Sequence, residues 1–248
     1  MAQPRLPTPT DFPPSLIISI LPPPSNSSPI NILILLHGLG DTNESFTQLG
    51  RNLNLPETTV LSIQGLNPIP PIFTGSDIPA FHWGDDVLID EGKGEIDMDA
   101  GFNAVLKAVG EGVVTEGLIE KCGFPARNIH FLGFGQGGMA ALSIASSLSS
   151  DHKFGGVISI GGRLAASSSA ISSKSKTPVL VCGGCNSRQI TRSAVDGLRA
   201  RFGDVEYVKW DKRNDSMPEN REEVLPIMKF LARRLGSRAG VPEGAVEI

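Results

Sequence analysis

Short apolar runs, each bounded by glycine, proline or polar residues, recur along the chain in the manner of buried strands. They are rich in valine, isoleucine and leucine and are too short for core helices. We predict strands at residues 15–21, 30–36, 59–63, 129–132, 156–160, 179–182 and 205–210. The proline- and serine-rich stretch at residues 22–29 separates the first two runs and favours a hairpin-like start.

Apolar residues at three-to-four spacing separate the later strands and indicate one-sided helices. We predict these helices at residues 99–109, 137–148, 190–202 and 222–235. Alternating strands and helices favour an α/β fold with a mostly parallel central sheet and helices on both faces.

The length of 248 residues suits one α/β domain. We place this domain at residues 15–236, between a proline-rich arm at residues 1–14 and a polar tail at residues 237–248. A net charge of −4 with mixed signs disfavours nucleic acid as a partner. No apolar run approaches the length of a membrane span, so we expect no stable membrane insertion.

Three cysteines provide no disulfide framework, because their number is odd. We therefore expect a reducing compartment and a cytoplasmic location, with the nucleus left open. The oligomeric state stays open as well.

Two glycine-rich loops carry the candidate chemistry. Residues 133–138 read Gly-Phe-Gly-Gln-Gly-Gly after a predicted strand, which is the shape of a G-x-S-x-G nucleophile elbow with Gly135 in the serine position. Residues 37–41, His-Gly-Leu-Gly-Asp, follow an earlier strand, where a backbone N–H could face a developing oxyanion.

Together these loops resemble the phospholipase/carboxylesterase family of α/β-hydrolases, which includes acyl-protein thioesterases and lysophospholipases. Residues 35–42 resemble its L-H-G-x-G-D loop, and residues 133–138 resemble its G-F-S-Q-G-G elbow. The similarity extends over about residues 30–235. It implies an α/β-hydrolase fold and serine hydrolase activity on esters or thioesters, with neither a cofactor nor a metal.

The resemblance also locates the three catalytic positions of the family, and each differs here. Gly135 replaces the nucleophilic serine, Ser187 lies where the acid belongs, and Asp215 occupies the histidine position in a loop reading Asp-Ser-Met-Pro. None of the four histidines fits the position of the missing base. The flanking motif residues are kept, so we interpret the triad as degenerate.

The resemblance implies that a binding pocket survives. The backbone N–H groups of Leu39 and Gln136 would form the oxyanion hole, and Phe46, Phe81 and Trp83 would flank an acyl groove. An acyl-bearing small molecule or protein is the implied partner.

Other interpretations of these motifs remain open. Residues 133–138 also satisfy G-x-G-x-x-G, but the next strand ends in glycines and Arg163 instead of the acidic residue that a dinucleotide site needs. Cys182 and Cys185 form a C-x-x-C, for which a buried strand end competes with redox or metal chemistry.

We expect either a catalytically inactive binding protein or a weak ester or thioester hydrolase with a non-standard nucleophile. Cys185, Ser187 and Ser216 are the candidate nucleophiles, with Asp215 as a weak base.

Overall fold

Seven strands form the central sheet, and their apolar runs explain its position between two layers of helices. The computed structural model describes residues 4–24, 28–90, 92, 94–166 and 174–238. The strands of this sheet are β1 (Ile18–Leu21), β2 (Asn31–Leu36), β3 (Thr58–Ile63), β8 (Ile129–Phe134), β9 (Gly156–Ile160), β10 (Val179–Gly184) and β11 (Val205–Trp210). Four two-residue strands form separate pairs: β4 (Asn67–Pro68) with β5 (Phe81–His82), and β6 (Ile89–Asp90) with β7 (Glu95–Ile96).

The sheet has the order β1-β3-β2-β8-β9-β10-β11 and is parallel except at β1. The predicted hairpin between the first two strands is wrong, because β1 pairs antiparallel with β3, with Ile18 opposite Ile63. Both edges of β2 are already taken by β3 and β8, so β1 adds at the edge of the sheet instead. The prediction of a mostly parallel sheet between helices is confirmed.

Helices cover both faces of this sheet. They are α1 (Asn43–Leu53), α3, α4 (Gln136–Ser147), α5 (Arg192–Arg201) and α6 (Arg221–Ala232). The four-residue helix α2 (Pro71–Thr74) lies exposed in the connection between β4 and β5. Helix α3 begins at Asn103–Val105 and continues over Leu106–Lys121 with wider i→i+5 turns. Single 3₁₀ turns lie at Pro9–Asp11, Ala126–Asn128 and Leu148–Ser150.

Three features of the helices differ from the sequence prediction. Helix α1 was not predicted, and α3 extends well beyond the predicted residues 99–109. Helix α4 is not one-sided, because all its residues except Ser147 are buried. Its small residues allow it to pack closely against β8, β9 and α3.

Alternating side chains of the strands divide the core into two clusters. Ile32, Ile34 and Leu36 of β2 join the cluster that contains α3 and α4, whereas Leu33 and Leu35 join the cluster that contains α1 and α6. The loops at the carboxyl ends of the parallel strands lie between these layers. Ligand sites of open α/β sheets form at this edge.

The proline-rich arm packs on the body of the protein. Phe12 is 6% exposed, and its ring packs on Gly117 of α3, where an added Cβ atom would lie 2.8 Å from the ring. Arg5 pairs with Asp11, and Lys121 of α3 donates to the Asp11 carbonyl at 3.2 Å. Nothing in the sequence pattern of the arm indicates this packing.

The domain boundaries stay a prediction, and residues 1–3 and 239–248 lie outside the described parts. Among the residues that the structure describes, no helix combines the length and the apolar character that crossing a bilayer requires.

Candidate active site at the carboxyl edge of the sheet

The turn from β8 into α4 has the conformation that a nucleophile elbow requires. Gly135 sits between strand and helix with φ of 51° and ψ of −118°, a region that glycine tolerates best. Its N–H donates to the Ile160 carbonyl at 2.8 Å, which ties the turn to β9. Close backbone contacts explain why positions 133 and 137 hold glycine, because a Cβ atom on Gly133 or Gly137 would overlap nearby backbone atoms.

Met98 covers the elbow at the point where a nucleophilic side chain would begin. A Cβ atom placed on Gly135 would lie 3.5 Å from the Met98 methyl group and would meet no other heavy atom within 4 Å among the described residues. The Gln136 side-chain amide donates to the Met98 carbonyl at 3.2 Å. This hydrogen bond therefore holds Met98 against the first residue of α4.

An ion pair next to Met98 connects the segment that covers the elbow with the loop after β9. Arg163 pairs with Asp99 at 2.9 Å, and the Asp99 side chain is only 8% exposed. Gln189 connects Arg163 at 3.3 Å with the Met98 sulfur at 3.5 Å. The sequence analysis did not identify this contact, since the pattern of acids and glycines at residues 85–99 gives no sign of a partner in the loop after β9.

The residues of the predicted oxyanion hole lie on neighbouring elements. Leu39 belongs to a turn closed by the Asp41 N–H and the Gly38 carbonyl at 3.2 Å. Gln136 is the first residue of α4, where a backbone N–H has no acceptor within the helix. The start of α4 abuts this loop, because a Cβ atom on Gly137 would collide with the carbonyls of residues 36 and 37.

His37 holds this loop in place. Its Nε2 accepts the Gly65 N–H at 2.8 Å, so its Nδ1 carries the proton and donates to the Gly38 carbonyl at 2.7 Å. Burial lowers the pKa of the ring, which favours the neutral form. With both nitrogens committed, His37 has no lone pair left to act as a base.

Ser187 and Asp215 are in direct contact. The Ser187 hydroxyl donates to Asp215 Oδ2 at 2.7 Å, and Asp215 Oδ1 accepts the Gly184 N–H at 2.9 Å. The Ser187 oxygen also accepts the N–H groups of Gln189 at 3.2 Å and Ile190 at 2.7 Å. The loop after β10 and the loop after β11 are thus joined at these two side chains.

Asp215 faces the elbow across the strand β9. A Cβ atom placed on Gly161 would lie 2.7 Å from the Asp215 Cβ atom, and the preceding residue, Ile160, accepts the Gly135 N–H. Lys212 anchors the loop that carries Asp215 by donating to the Met217 carbonyl at 2.8 Å and to Glu223 of α6 at 2.9 Å. The three predicted positions, Gly135, Ser187 and Asp215, therefore lie around the carboxyl end of β9.

The three predicted aromatic residues lie in different environments. Phe46 is placed in the core beneath the sheet, 4% exposed, instead of in a groove, because α1 packs its apolar side against β2 and β3. Trp83 is fully buried, and its indole N–H donates to the His37 carbonyl at 2.8 Å. Only Phe81 is partly exposed, and its carbonyl accepts the Gly40 N–H at 2.9 Å beside the predicted oxyanion loop.

The other candidate chemistries receive little support from the geometry. Cys182 is fully buried within β10, whereas Cys185 is partly exposed, and all three cysteines are free. No group of three or more His, Cys, Asp or Glu side chains within the described chain is arranged to hold a metal ion. Arg163, which follows β9 where a dinucleotide site would need an acidic residue, is paired with Asp99.

Comparison with protein families agrees with the elbow and with the fold. The model of the Phospholipase/Carboxylesterase family matches residues 23–192, which is more than half of the chain. The chain belongs to the phospholipase/carboxylesterase family. The matched region contains Gly135 and Ser187, while Asp215 lies beyond it.

Curated relatives carry the same general description. A protein named as an uncharacterized hydrolase from Schizosaccharomyces pombe is 29% identical over 212 residues, which is 83% of each chain. Another uncharacterized hydrolase, from Mycosarcoma maydis, is 36% identical over 166 residues, which is 64% of this chain and 58% of that protein.

Solved structures of the family share the fold. Acyl-protein thioesterase 2 of Zea mays superposes with a TM-score of 0.61 at 19% identity, covering 89% of this chain and 99% of that one. A phospholipase/carboxylesterase from Dyadobacter fermentans gives a TM-score of 0.61 at 24% identity, covering 86% and 95% of the two chains. At these identities the likeness shows the α/β-hydrolase fold alone.

Proposed function

We propose that this member of the phospholipase/carboxylesterase family is a non-catalytic protein that binds an acyl-bearing small molecule or protein without cleaving it. One observation carries the proposal: the turn that presents the nucleophile in a serine hydrolase holds Gly135, and the Met98 methyl group lies against it. A glycine has no atom that can attack a carbonyl carbon. The turn then serves only to present backbone N–H groups.

The pairing of Ser187 with Asp215 supports an inactive centre. A hydroxyl has one proton and two lone pairs, and those of Ser187 are engaged by Asp215, Gln189 and Ile190. Attack on a carbonyl would require breaking at least one of these bonds. In this proposal the pair fastens two loops together and performs no proton transfer.

Neither of the other candidate nucleophiles, Ser216 and Cys185, forms a hydrogen bond with a histidine within the described residues. None of the four histidines, all of which lie in the described residues, forms a hydrogen bond with Ser187 or Asp215. Ser216 is directed to Glu219 at 3.4 Å, and Cys185 lines a cavity on the other side of the loop after β10. A hydrolase that used one of them would need an arrangement of this loop different from the one described.

Binding of an acyl group would use the backbone N–H groups of Leu39 and Gln136. A carbonyl oxygen at this position gains from the N-terminal end of α4, since helix N-termini favour negative charge. Entry requires the Met98 side chain to turn away, and Met is the most adaptable of the apolar side chains. A cytoplasmic location stays a prediction that rests on the odd number of cysteines.

Equilibrium dialysis with a fluorescent long-chain acyl thioester tests binding and cleavage together. We expect the ligand to be retained by the protein and recovered intact after incubation. Hydrolysis above that of a heat-denatured sample would contradict the proposal. The variants S187A and C185S then distinguish the alternative enzyme, because the nucleophile of a weak hydrolase is the residue whose replacement stops turnover.

A further inference from the structure

A cavity lies between α5 and the edge strand β11, away from the elbow. Its volume is about 420 Å³, within the range of pockets that hold small molecules. Tyr207 and Lys209 reach it from β11, where residues two apart lie on the same side of the strand. Gly135, Leu39 and Gln136 do not line it.

Basic side chains dominate the rim of this α5–β11 groove. Arg192, Arg199 and Lys209 line it together with one acid, Asp196, which contacts Arg199 at 3.7 Å. Within the described parts of the chain, Arg192 and Lys209 have no ion-pair partner. The chain as a whole carries a net charge of −4, so this cluster reverses the prevailing sign and favours anions locally.

The inner wall of the groove is less polar than its rim. Ile190 and Val195 are 4% and 3% exposed, and the half-buried ring of Tyr207 lies beside them. Burial raises the pKa of the Tyr207 phenol, which therefore keeps its proton at neutral pH and can donate a hydrogen bond. An apolar inner wall beneath a positively charged rim suits a ligand that has both an apolar part and a negatively charged group.

The groove and the elbow are separated by the loop after β10. Ser187 borders the groove, and its hydroxyl is already engaged by Asp215 and by two backbone N–H groups. This bonding fixes the wall between the two sites. Occupancy of the groove therefore does not require the Met98 cover over Gly135 to open.

We propose that the α5–β11 groove binds a small organic anion, a phosphate monoester or a carboxylate with a compact aromatic or apolar body. Arg192 and Lys209 contact the anionic group, and Tyr207 contacts the body. No bond is made or broken in this site. The proposal is independent of whether the elbow binds an acyl group or catalyses its hydrolysis.

The groove contains its own reporter, since Cys185 lines it and is the one cysteine of the three that is not buried. The full-length protein is treated with iodoacetamide, which is uncharged, and carbamidomethylation of Cys185 is followed by mass spectrometry. Phenyl phosphate and phenylacetate test the two anionic classes, inorganic phosphate tests the anion alone, and benzyl alcohol tests the apolar body alone. Potassium chloride of equal ionic strength is the reference.

We expect phenyl phosphate or phenylacetate to slow alkylation several-fold, and benzyl alcohol to have no effect. The response to each anion identifies whether a phosphate or a carboxylate is preferred. Calorimetric titration of the same ligands measures binding directly and does not depend on the reactivity of Cys185. Absence of both protection and heat at about 10 mM of either aromatic anion would overturn the proposal.

The double variant R192Q/K209Q tests the recognition of charge. Losing charge-assisted hydrogen bonds should weaken binding by about tenfold or more. R188Q is the matched control, because Arg188 is exposed on the adjacent loop and does not line the groove. Equal affinity in R192Q/K209Q and R188Q, or equal protection by benzyl alcohol and phenyl phosphate, would contradict an anion site.

Discussion

The Ser187 hydroxyl lies 2.7 Å from the Asp215 carboxylate and joins two loops that are 28 residues apart in sequence. Both loops follow strands, β10 and β11, that are neighbours in the sheet. The acid and base positions of a hydrolase triad would need the same proximity. In the inactive centre that we propose, Ser187 and Asp215 occupy these two positions, and their hydrogen bond connects the two loops as a strut.

Removing the carboxylate should therefore affect stability. D215A leaves the Gly184 N–H and the Ser187 hydroxyl without their acceptor, and we expect the free energy of unfolding to fall by about 2 kcal/mol. This corresponds to a decrease in melting temperature of about 4–8 °C. Chemical denaturation provides the measurement. D211A, at an exposed position in the same loop, should change stability by less than about 0.5 kcal/mol, and an equally small effect of D215A would refute the strut.

The elbow glycine relieves backbone strain. G135S introduces a side chain at φ of 51° and should lower the free energy of unfolding by about 1–2 kcal/mol, while the space beside Met98 lets the protein fold. Gly197 is the matched control, since it lies in the exposed part of α5 and a Cβ atom there meets nothing within 4 Å of the described residues. G197A should stabilise the protein by about 0.5–1 kcal/mol. A G135S variant as stable as the original chain would mean that the turn is not strained.

Stability should also depend on pH through His130. Burial lowers the pKa of its ring to about 4, and within the described residues neither ring nitrogen has a hydrogen-bond partner. The unfolded chain binds a proton near pH 6.5, whereas the folded chain does not, so stability decreases as the pH falls from about 6.5 to about 4. The loss from this group reaches about 3 kcal/mol at the lower end.

H130L should flatten the pH profile of stability between those limits, as followed by urea unfolding at a series of pH values. H152Q is the control, because His152 is partly exposed and lies at the edge of Phe154 with ring centres 5.9 Å apart. An H130L profile parallel to that of the unmodified chain would exclude His130 as the source of the slope.

The cover over the elbow gives a prediction about restored chemistry. The triple variant G135S/S187D/D215H supplies the three side chains of the family, but the Met98 methyl group still lies against residue 135. We expect measurable esterase activity in the triple variant and a higher kcat when M98A is added. Hydrolysis of 4-nitrophenyl butyrate is the assay. M139A serves as the control, because Met139 is fully buried in α4 and does not cover the turn, and an equal gain from both alanine variants would argue against the cover.

Patterns within a short stretch of sequence predicted the strands and the elbow. The apolar runs of β2 and β10 are continuous because both faces of these strands are buried, so they can be recognised without any knowledge of the strands that they pair with. The elbow was recognisable because its glycines lie in one short motif, and a Cβ atom on Gly133 would overlap the backbone of Gly137 and Gly138 within that same motif.

Features that depend on distant contacts were not predictable in the same way. The pairing of β1 with β3 depends on which edge of the sheet is free, and no local sequence pattern shows which edge that is. The burial of Phe46 and Trp83 depends on how α1 and the loop around β5 pack, so an aromatic residue near a motif was not enough to identify a pocket wall. The contact of Met98 with the elbow spans 37 residues and carries no local signal.

Labelling with a fluorophosphonate tests the absence of a nucleophile most directly, because this probe reacts only with a side chain that is activated for attack. Native full-length protein is incubated with the probe, its intact mass is determined, and modified peptides are mapped against a denatured control. We expect no adduct on the native chain. A stoichiometric adduct on Ser187, Cys185 or Ser216 would contradict it and would identify the chain as an active hydrolase.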